Sequence, residues 1–183
     1  MEPGELEEIV IGSQEIYKGR IIDLHLNTVR LPNGNEAKRE VVTHHGAVCI
    51  VPMHADGTIM MVRQFRLAAG KILLEIPAGT LEKGEEPHDC ALRELEEETG
   101  YKAATIRPLF AAYLAPGYST ELIHAYLATD LTKTQTHFDE GENLELVTIS
   151  LADAMQQVLA GELQDAKTIA ALLVASQLLG KTE

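Results

Sequence analysis

Arg93-Glu94-Leu95-Glu96-Glu97-Glu98-Thr99-Gly100 reads as the end of a helix crowded with carboxylates. Pro87 suits a first-turn position, where its missing N–H costs nothing, and Gly100 suits the residue just past the last turn. A helix is therefore expected over 87–99. At about 100° per residue, Glu94 and Glu98 fall about 40° apart on one face, with Glu97 about 60° to the other side of Glu94. Ala91, Leu92 and Leu95 form the opposing apolar stripe. Three carboxylates thus converge where the helix dipole already places partial negative charge, and like charges at i,i+4 repel by roughly a few tenths of a kcal/mol. Taken alone, the segment allows two readings. One is a solvated acidic face on which Arg93 offsets Glu97. The other is a site where a cation compensates, and Mg²⁺, a hard ion that prefers oxygen ligands, is the natural candidate.

The residues upstream decide between them. Gly79-Thr80-Leu81-Glu82-Lys83-Gly84-Glu85 precedes the helix end by seven residues. Together the two segments resemble the Nudix box, G-x5-E-x7-R-E-U-x-E-E-x-G-U, where U is aliphatic. All seven fixed positions match, a coincidence on the order of 10⁻⁸ per starting position at this composition. Tyr101 departs from the pattern, where an aliphatic residue is usual. The resemblance extends from Tyr17 to Leu179 and points to the ADP-ribose pyrophosphatase branch. Val62-Arg63-Gln64-Phe65-Arg66 and Leu74-Glu75-Ile76-Pro77-Ala78-Gly79 are similar to that branch's approach to the box. Pro116, in Ala115-Pro116-Gly117-Tyr118-Ser119-Thr120-Glu121, stands fifteen residues past Tyr101, the offset of the branch's substrate hallmark.

The resemblance implies a Nudix fold, an α/β/α sandwich around a mixed sheet, preceded by a small antiparallel β region. Residues 1–45 would form that region and 46–183 the hydrolase domain. It implies hydrolysis of the pyrophosphate bond of ADP-ribose, or a similar nucleoside diphosphate sugar, to AMP and ribose 5-phosphate. It implies a site for Mg²⁺, with Mn²⁺ as a substitute, made by the Ala78 carbonyl, Glu94 and Glu98, with Glu97 holding a second ion or its waters. Glu85 and Arg93 would pair and orient these ligands. The general base would come from Asp139-Glu140-Gly141-Glu142, where the sequence does not rank Glu140 against Glu142. Arg66 resembles a diphosphate contact, and Arg39 matches an N-terminal substrate contact weakly. Pro116, Gly117 and Glu121 join them as substrate-loop candidates. Glu75 either binds a ribose or adenine edge or pairs with a core arginine. The branch builds its adenine pocket with the N-terminal β region of a partner subunit, so a homodimer is expected. With no tryptophan in the chain, stacking on the base falls to Tyr17 or another side chain.

Elsewhere the chain reads as an ordinary globular protein. Hydrophobic residues are 45% and charged residues 23%, enough to bury a core and too apolar for disorder. The N-terminus, Met1-Glu2-Pro3-Gly4-Glu5, lacks the basic and apolar regions of a signal peptide, and no run approaches a membrane span. A cytoplasmic protein with no membrane partner is expected. Cys49 and Cys90 have no ligand spacing and are expected as reduced core thiols. The seven histidines, including the adjacent His44 and His45, show no metal spacing either. A net charge of −13 disfavours nucleic acid as a partner, and it leaves an anionic substrate in need of metal or placed arginines.

Alternation and turn residues predict strands before residue 45, with a bulge near Asn27-Thr28 and a hairpin turn at Pro32-Asn33-Gly34-Asn35. Further strands are expected over 47–53, 58–65, 72–76, 105–114, 122–129 and 144–149. Two helices close the chain. The first opens on a Ser150–Asp153 cap and stops at Gly161. The second opens on Asp165, with Ile169, Leu172, Leu173 and Ser176 along one face. Two rival functions remain at this level. One is a Nudix enzyme for NADH, a nucleoside triphosphate or another sugar nucleotide. The other is a non-catalytic Nudix-fold regulator, which retention of Glu94, Glu97 and Glu98 disfavours.

Overall fold

A computed structural model describes residues 6–134 and 143–180. The chain forms two compact units, one of residues 1–46 with 113–122, the other of 47–112 with 123–183.

The first unit is an antiparallel sheet of β1 (Ile9–Lys18), β2 (Ile22–Arg30) and β3 (Glu36–His44), in that order. β2 and β3 pair without interruption from Ile22 opposite His44 to Arg30 opposite Glu36. The bulge expected near Asn27-Thr28 is therefore not in β2. The register shifts instead occur against β1, between Val10 and Gly12 and between Glu15 and Tyr17. The phase change in the β2 sequence has a different cause: a central strand, hydrogen-bonded on both edges, is half-buried along most of its length. Residues 113–122 belong with this sheet. The Val42 N–H donates to the Tyr118 carbonyl at 2.7 Å, and the Thr120 N–H donates to the Val42 carbonyl at 2.9 Å.

The second unit has two sheets. β5 (Thr58–Arg66) lies between β10 (Leu144–Ser150) and β6 (Lys71–Glu75), antiparallel to both. The other sheet runs β7 (Ala78–Thr80), β4 (Ala47–Pro52), β9 (Leu122–Lys133), β8 (Tyr101–Tyr113), with β4 and β9 parallel. β4 is buried at every position, as a strand covered on both faces must be. Its side chains alternate between two cores. Val48 and Ile50 pack with Cys90, Ala91 and Leu95 of α1 (Pro87–Thr99). Cys49 and Val51 pack with Ala171, Leu172 and Ala175 of α3 (Ala166–Leu179) and Ala154 of α2 (Leu151–Ala160). This is the α/β/α sandwich with a mixed sheet.

The helix ends follow the sequence signals. The Ser150 hydroxyl accepts from the Asp153 N–H at 2.9 Å, and the Asp165 carboxylate accepts from the Thr168 N–H at 3.0 Å. The face expected on α3 is buried in part, with Leu172 buried and Ile169 packed against the core. Thr168, Ala171, Leu172 and Ala175 are buried while Leu173 is 40% exposed. Thr168, Ala171 and Ala175, small residues at i, i+3 and i+7, flank the buried Leu172 on the face that packs against the core.

Among the described residues no helix is long and apolar enough to cross a membrane. Both cysteines are free and buried. Burial pushes the Cys49 thiol up to about 12, and burial likewise raises Cys90.

Candidate active site

α1 ends on Gly100, whose left-handed backbone (φ 71°) turns its N–H onto the Glu96 carbonyl. The helix delivers Glu94 and Glu98 to the short strand β7 and the residues entering it. Both carboxylates are buried, with exposures of 9% and 3%. The Glu98 carboxylate accepts from the Ala78 N–H at 3.1 Å. The Glu94 carboxylate lies against Gly79 so closely that a Cβ there would sit 1.8 Å from its Cδ. The first glycine of the box is thus required by space: any side chain would displace Glu94.

Two buried carboxylates therefore bracket the Ala78-Gly79 backbone. Burial of ionised oxygens without compensation is costly, and oxygen donors of this kind suit a hard divalent cation. Among the described residues no three His, Cys, Asp or Glu side chains converge as a metal group, and Glu94 and Glu97 both accept from Arg93. The Arg93 guanidinium donates to Glu94 at 2.7 Å and to Glu97 at 2.9 Å through Nη1. It donates to Glu85 at 2.9 Å through both Nε and Nη2. One arginine thus holds three box glutamates, and Glu85 and Arg93 form the pair that the sequence resemblance implied.

The Arg93 hydrogen bonds hold the Glu85 carboxyl down to about 2, against an ordinary 4.5. A carboxylate whose folded-state pKa is lowered contributes stability above its unfolded pKa and loses it as pH falls through the folded one. Glu85→Gln should therefore lower the urea midpoint at pH 7. The gap to the wild type should close as pH falls from about 4.5 towards about 2. A gap that stays constant across that window would show that Glu85 acts through packing rather than charge.

A second charged cluster lies at the ends of β5 and β6. The Arg66 Nε and Nη2 each donate to Glu75 at 2.8 Å. Glu75 is 1% exposed and also accepts from the Lys167 ammonium at 2.5 Å. Of the two roles left open for Glu75, the structure shows the arginine pair. Burial works to raise its pKa, but the hydrogen bonds and charges of Arg66 and Lys167 outweigh that and the net shift is downward. Arg66 is raised, chiefly by its hydrogen bonds to Glu75, with the charges of Asp165 and Glu98 acting in the same direction. Arg66 thus lies within the electrostatic reach of the box.

The remaining candidates fall in the first unit or outside the described residues. Arg39, on β3, donates to Glu8 at 3.0 and 2.5 Å. Pro116 and Gly117 lie in the 113–122 segment docked on Val42, with the Glu121 N–H on the Ser119 hydroxyl. Tyr17 is 58% exposed on β1. Glu140 and Glu142 lie outside the described residues. The ends of their segment are nevertheless placed. On one side the Thr134 N–H donates to the Gly100 carbonyl at 2.6 Å. On the other, Leu144 pairs with Gln64, two residues before Arg66. Lys167 and the Thr134–Gly100 tie went unread in the sequence, since each joins residues far apart in the chain with no local pattern.

With this geometry in view, comparison with known proteins defines the class. The chain belongs to the Nudix family, whose domain matches residues 43–172. Residues 8–42 match the nucleoside diphosphate sugar hydrolase N-terminal domain. An ADP-ribose pyrophosphatase of Bacillus subtilis is 45% identical over 91% of each chain. A methanol dehydrogenase activator of Bacillus methanolicus is 41% identical over 91% of each. The solved structure of an ADP compounds hydrolase matches with a TM-score of 0.87 over 98% of each chain at 24% identity, a likeness of fold. Within the family the chain is a pyrophosphohydrolase.

Proposed function

We propose that the chain hydrolyses the pyrophosphate bond of ADP-ribose to AMP and ribose 5-phosphate, as a cytoplasmic enzyme dependent on Mg²⁺ with Mn²⁺ as a substitute. The observation that carries this reading is the pair of buried carboxylates bracketing Ala78-Gly79, in a chain nearly half identical to an ADP-ribose pyrophosphatase. The Ala78 carbonyl, Glu94 and Glu98 would hold the metal, with Glu97 beside them. A bound divalent ion supplies charge neutralisation at the pyrophosphate and lowers the pKa of a bound water. Arg93 restrains the orientation of Glu94 and Glu97 through its hydrogen bonds, and Glu85 fixes Arg93 in turn.

Arg66 binds the diphosphate. Its fork to Glu75 uses Nε and Nη2, which leaves Nη1 outside the fork as a donor for an anionic oxygen. Arg39, Pro116, Gly117 and Glu121 are the further substrate contacts in this reading. The proton of the attacking water goes to Glu140 or Glu142. The placed ends of their segment, at the C-cap of α1 and beside Gln64, support a base from that segment.

Turnover of ADP-ribose, GDP-mannose, NADH and nucleoside triphosphates, followed by chromatography of the products, tests the reading. ADP-ribose should give the highest kcat/KM and yield AMP with ribose 5-phosphate in equal amounts. A higher kcat/KM for GDP-mannose or NADH would overturn the substrate assignment, and no turnover of any would favour a regulator.

A homodimer is part of the same reading. β1 is exposed along its whole length, with Ile9, Val10, Ile16 and Tyr17 each more than two-fifths exposed. Apolar surface on a free edge strand invites pairing with a second copy. Light scattering should give twice the 20.0 kDa of the chain. A monomer hydrolysing ADP-ribose at full rate would contradict it.

A further inference from the structure

The first turn of α3 makes contacts that the proposed chemistry does not use. Lys167 is almost wholly buried, its side chain 10% exposed, and its ammonium lies 2.5 Å from Glu75 and 2.9 Å from Asp165. Asp165 caps the helix, accepting from the Thr168 N–H at 3.0 Å and the Thr168 hydroxyl at 2.6 Å. That hydroxyl in turn accepts from the Ile76 N–H at 3.0 Å. One helical turn therefore grips both Glu75, which holds Arg66, and Ile76, two residues before Ala78.

The charges make Lys167 more than a filler of space. Glu75 and Asp165 carry two negative charges, and Arg66 and Lys167 two positive ones. Arg66 and Lys167 share one oxygen of Glu75, Oε2. Lysine at that position neutralises part of the carboxylate and restrains it, so the arginine fork is held in one orientation with Nη1 outside the fork. Without the ammonium, two carboxylates face one guanidinium. The cluster becomes net negative, and Glu75 loses the restraint on its rotation. Both changes work against an anionic ligand.

We infer that Lys167 is a positioning residue for substrate binding, acting through Glu75 to present Arg66 to the diphosphate. The inference rests on the proposed role of Arg66 and assigns to α3 a part in recognition that the box does not contain.

The test is a double-mutant cycle read by calorimetry, using the non-hydrolysable α,β-methylene analogue of ADP-ribose with Mg²⁺. Lys167→Met should weaken binding about tenfold, the scale of coupling between residues in one charge network. It should raise KM for ADP-ribose more than it lowers kcat, as loss of uniform binding does. Lys167→Arg, which restores the charge, should recover most of the affinity. In an Arg66→Ala background, Lys167→Met should change the affinity less than about twofold, since nothing remains for it to position. Unaltered binding by folded Lys167→Met would overturn the proposal, as would an equal loss in both backgrounds. Should Lys167→Met fail to fold, Lys167→Gln carries the same comparison; if both unfold, Lys167 serves the fold and the assignment fails. The underlying reading fails separately: the wild type then binds no analogue, or Arg66→Ala alone leaves its binding intact.

Discussion

Glu98→Gln should lower turnover with Mg²⁺ by about 10³-fold, the several kcal/mol that metal ligation supplies to charge stabilisation, and should leave the melting temperature unchanged or raised. The two halves of this result come from one geometry. Gln matches Glu in volume, so no cavity opens in a site that is 3% exposed, and its amide oxygen still accepts from the Ala78 N–H. What is lost is the negative charge. At the C-terminal turn of α1 that charge opposes the helix dipole and sits four residues from Glu94, so its removal relieves roughly a few tenths of a kcal/mol or more of repulsion. Thermal melts in chelator and a Mg²⁺ titration of activity separate the effects. A variant that keeps kcat within about tenfold of the wild type, at the same Mg²⁺ concentration, would remove Glu98 from the metal site.

The box was legible in the sequence from its local pattern. A helix end that crowds Glu94, Glu97 and Glu98 against its own dipole violates a local rule, and violations are kept where a ligand compensates. Periodicity then placed the carboxylates on one face, and the structure adds why the pattern begins with glycine: Glu94 occupies the space of its side chain. The fold was legible for the same reason that β4 was. An unbroken apolar run means a strand covered on both faces, and Val48-Cys49-Ile50-Val51 alternate between the α1 and α3 cores.

Less could be read where contacts are non-local. Glu75 between Leu74 and Ile76 offered two roles; Arg66 decides between them from the neighbouring strand, and its further partner, Lys167, lies 92 residues away. On α3, Leu172 of the expected face is buried and Ile169 packs against the core, but Leu173 is exposed and Thr168, Ala171 and Ala175 share the buried face. In the N-terminal sheet, Ile22, Leu24 and Leu26 followed by Val29 and Leu31 look like a bulge. A strand paired on both sides accepts such a phase change without one, and the irregularities fall on the edge strand, where only one partner constrains the register.

In the proposed reading the general base comes from residues 135–142, which lie outside the described residues. Replacing it by Gln should lower kcat by about 10²–10⁴-fold with KM little changed, the range of general acid–base contributions. The candidates are Glu140 and Glu142, as the family resemblance implies, and the glutamates of the box and of β6 are otherwise engaged. Glu98 and Glu94 are buried against Ala78-Gly79, Glu97 and Glu85 are held by Arg93, and Glu75 is occupied by Arg66 and Lys167. A carboxylate free to take a proton from the attacking water must come from elsewhere. The chain leaves the described region at Thr134, whose N–H is bonded to the Gly100 carbonyl one residue past α1. It returns at Asn143, and the next residue, Leu144, lies opposite Gln64, close in sequence to Arg66. Eight residues, 135–142, lie between the two described ends. The single variants Glu140→Gln and Glu142→Gln should therefore differ in kind. One loses kcat at every Mg²⁺ concentration, while the other recovers part of its activity as Mg²⁺ is raised, because it touches the metal rather than the proton. The pH profile separates them further: the acidic limb of kcat, which reports ionisation of the base in the enzyme–substrate complex, should vanish only in the first. If both single variants and the double variant keep near-normal kcat with the acidic limb intact, the proton goes to a group outside this segment.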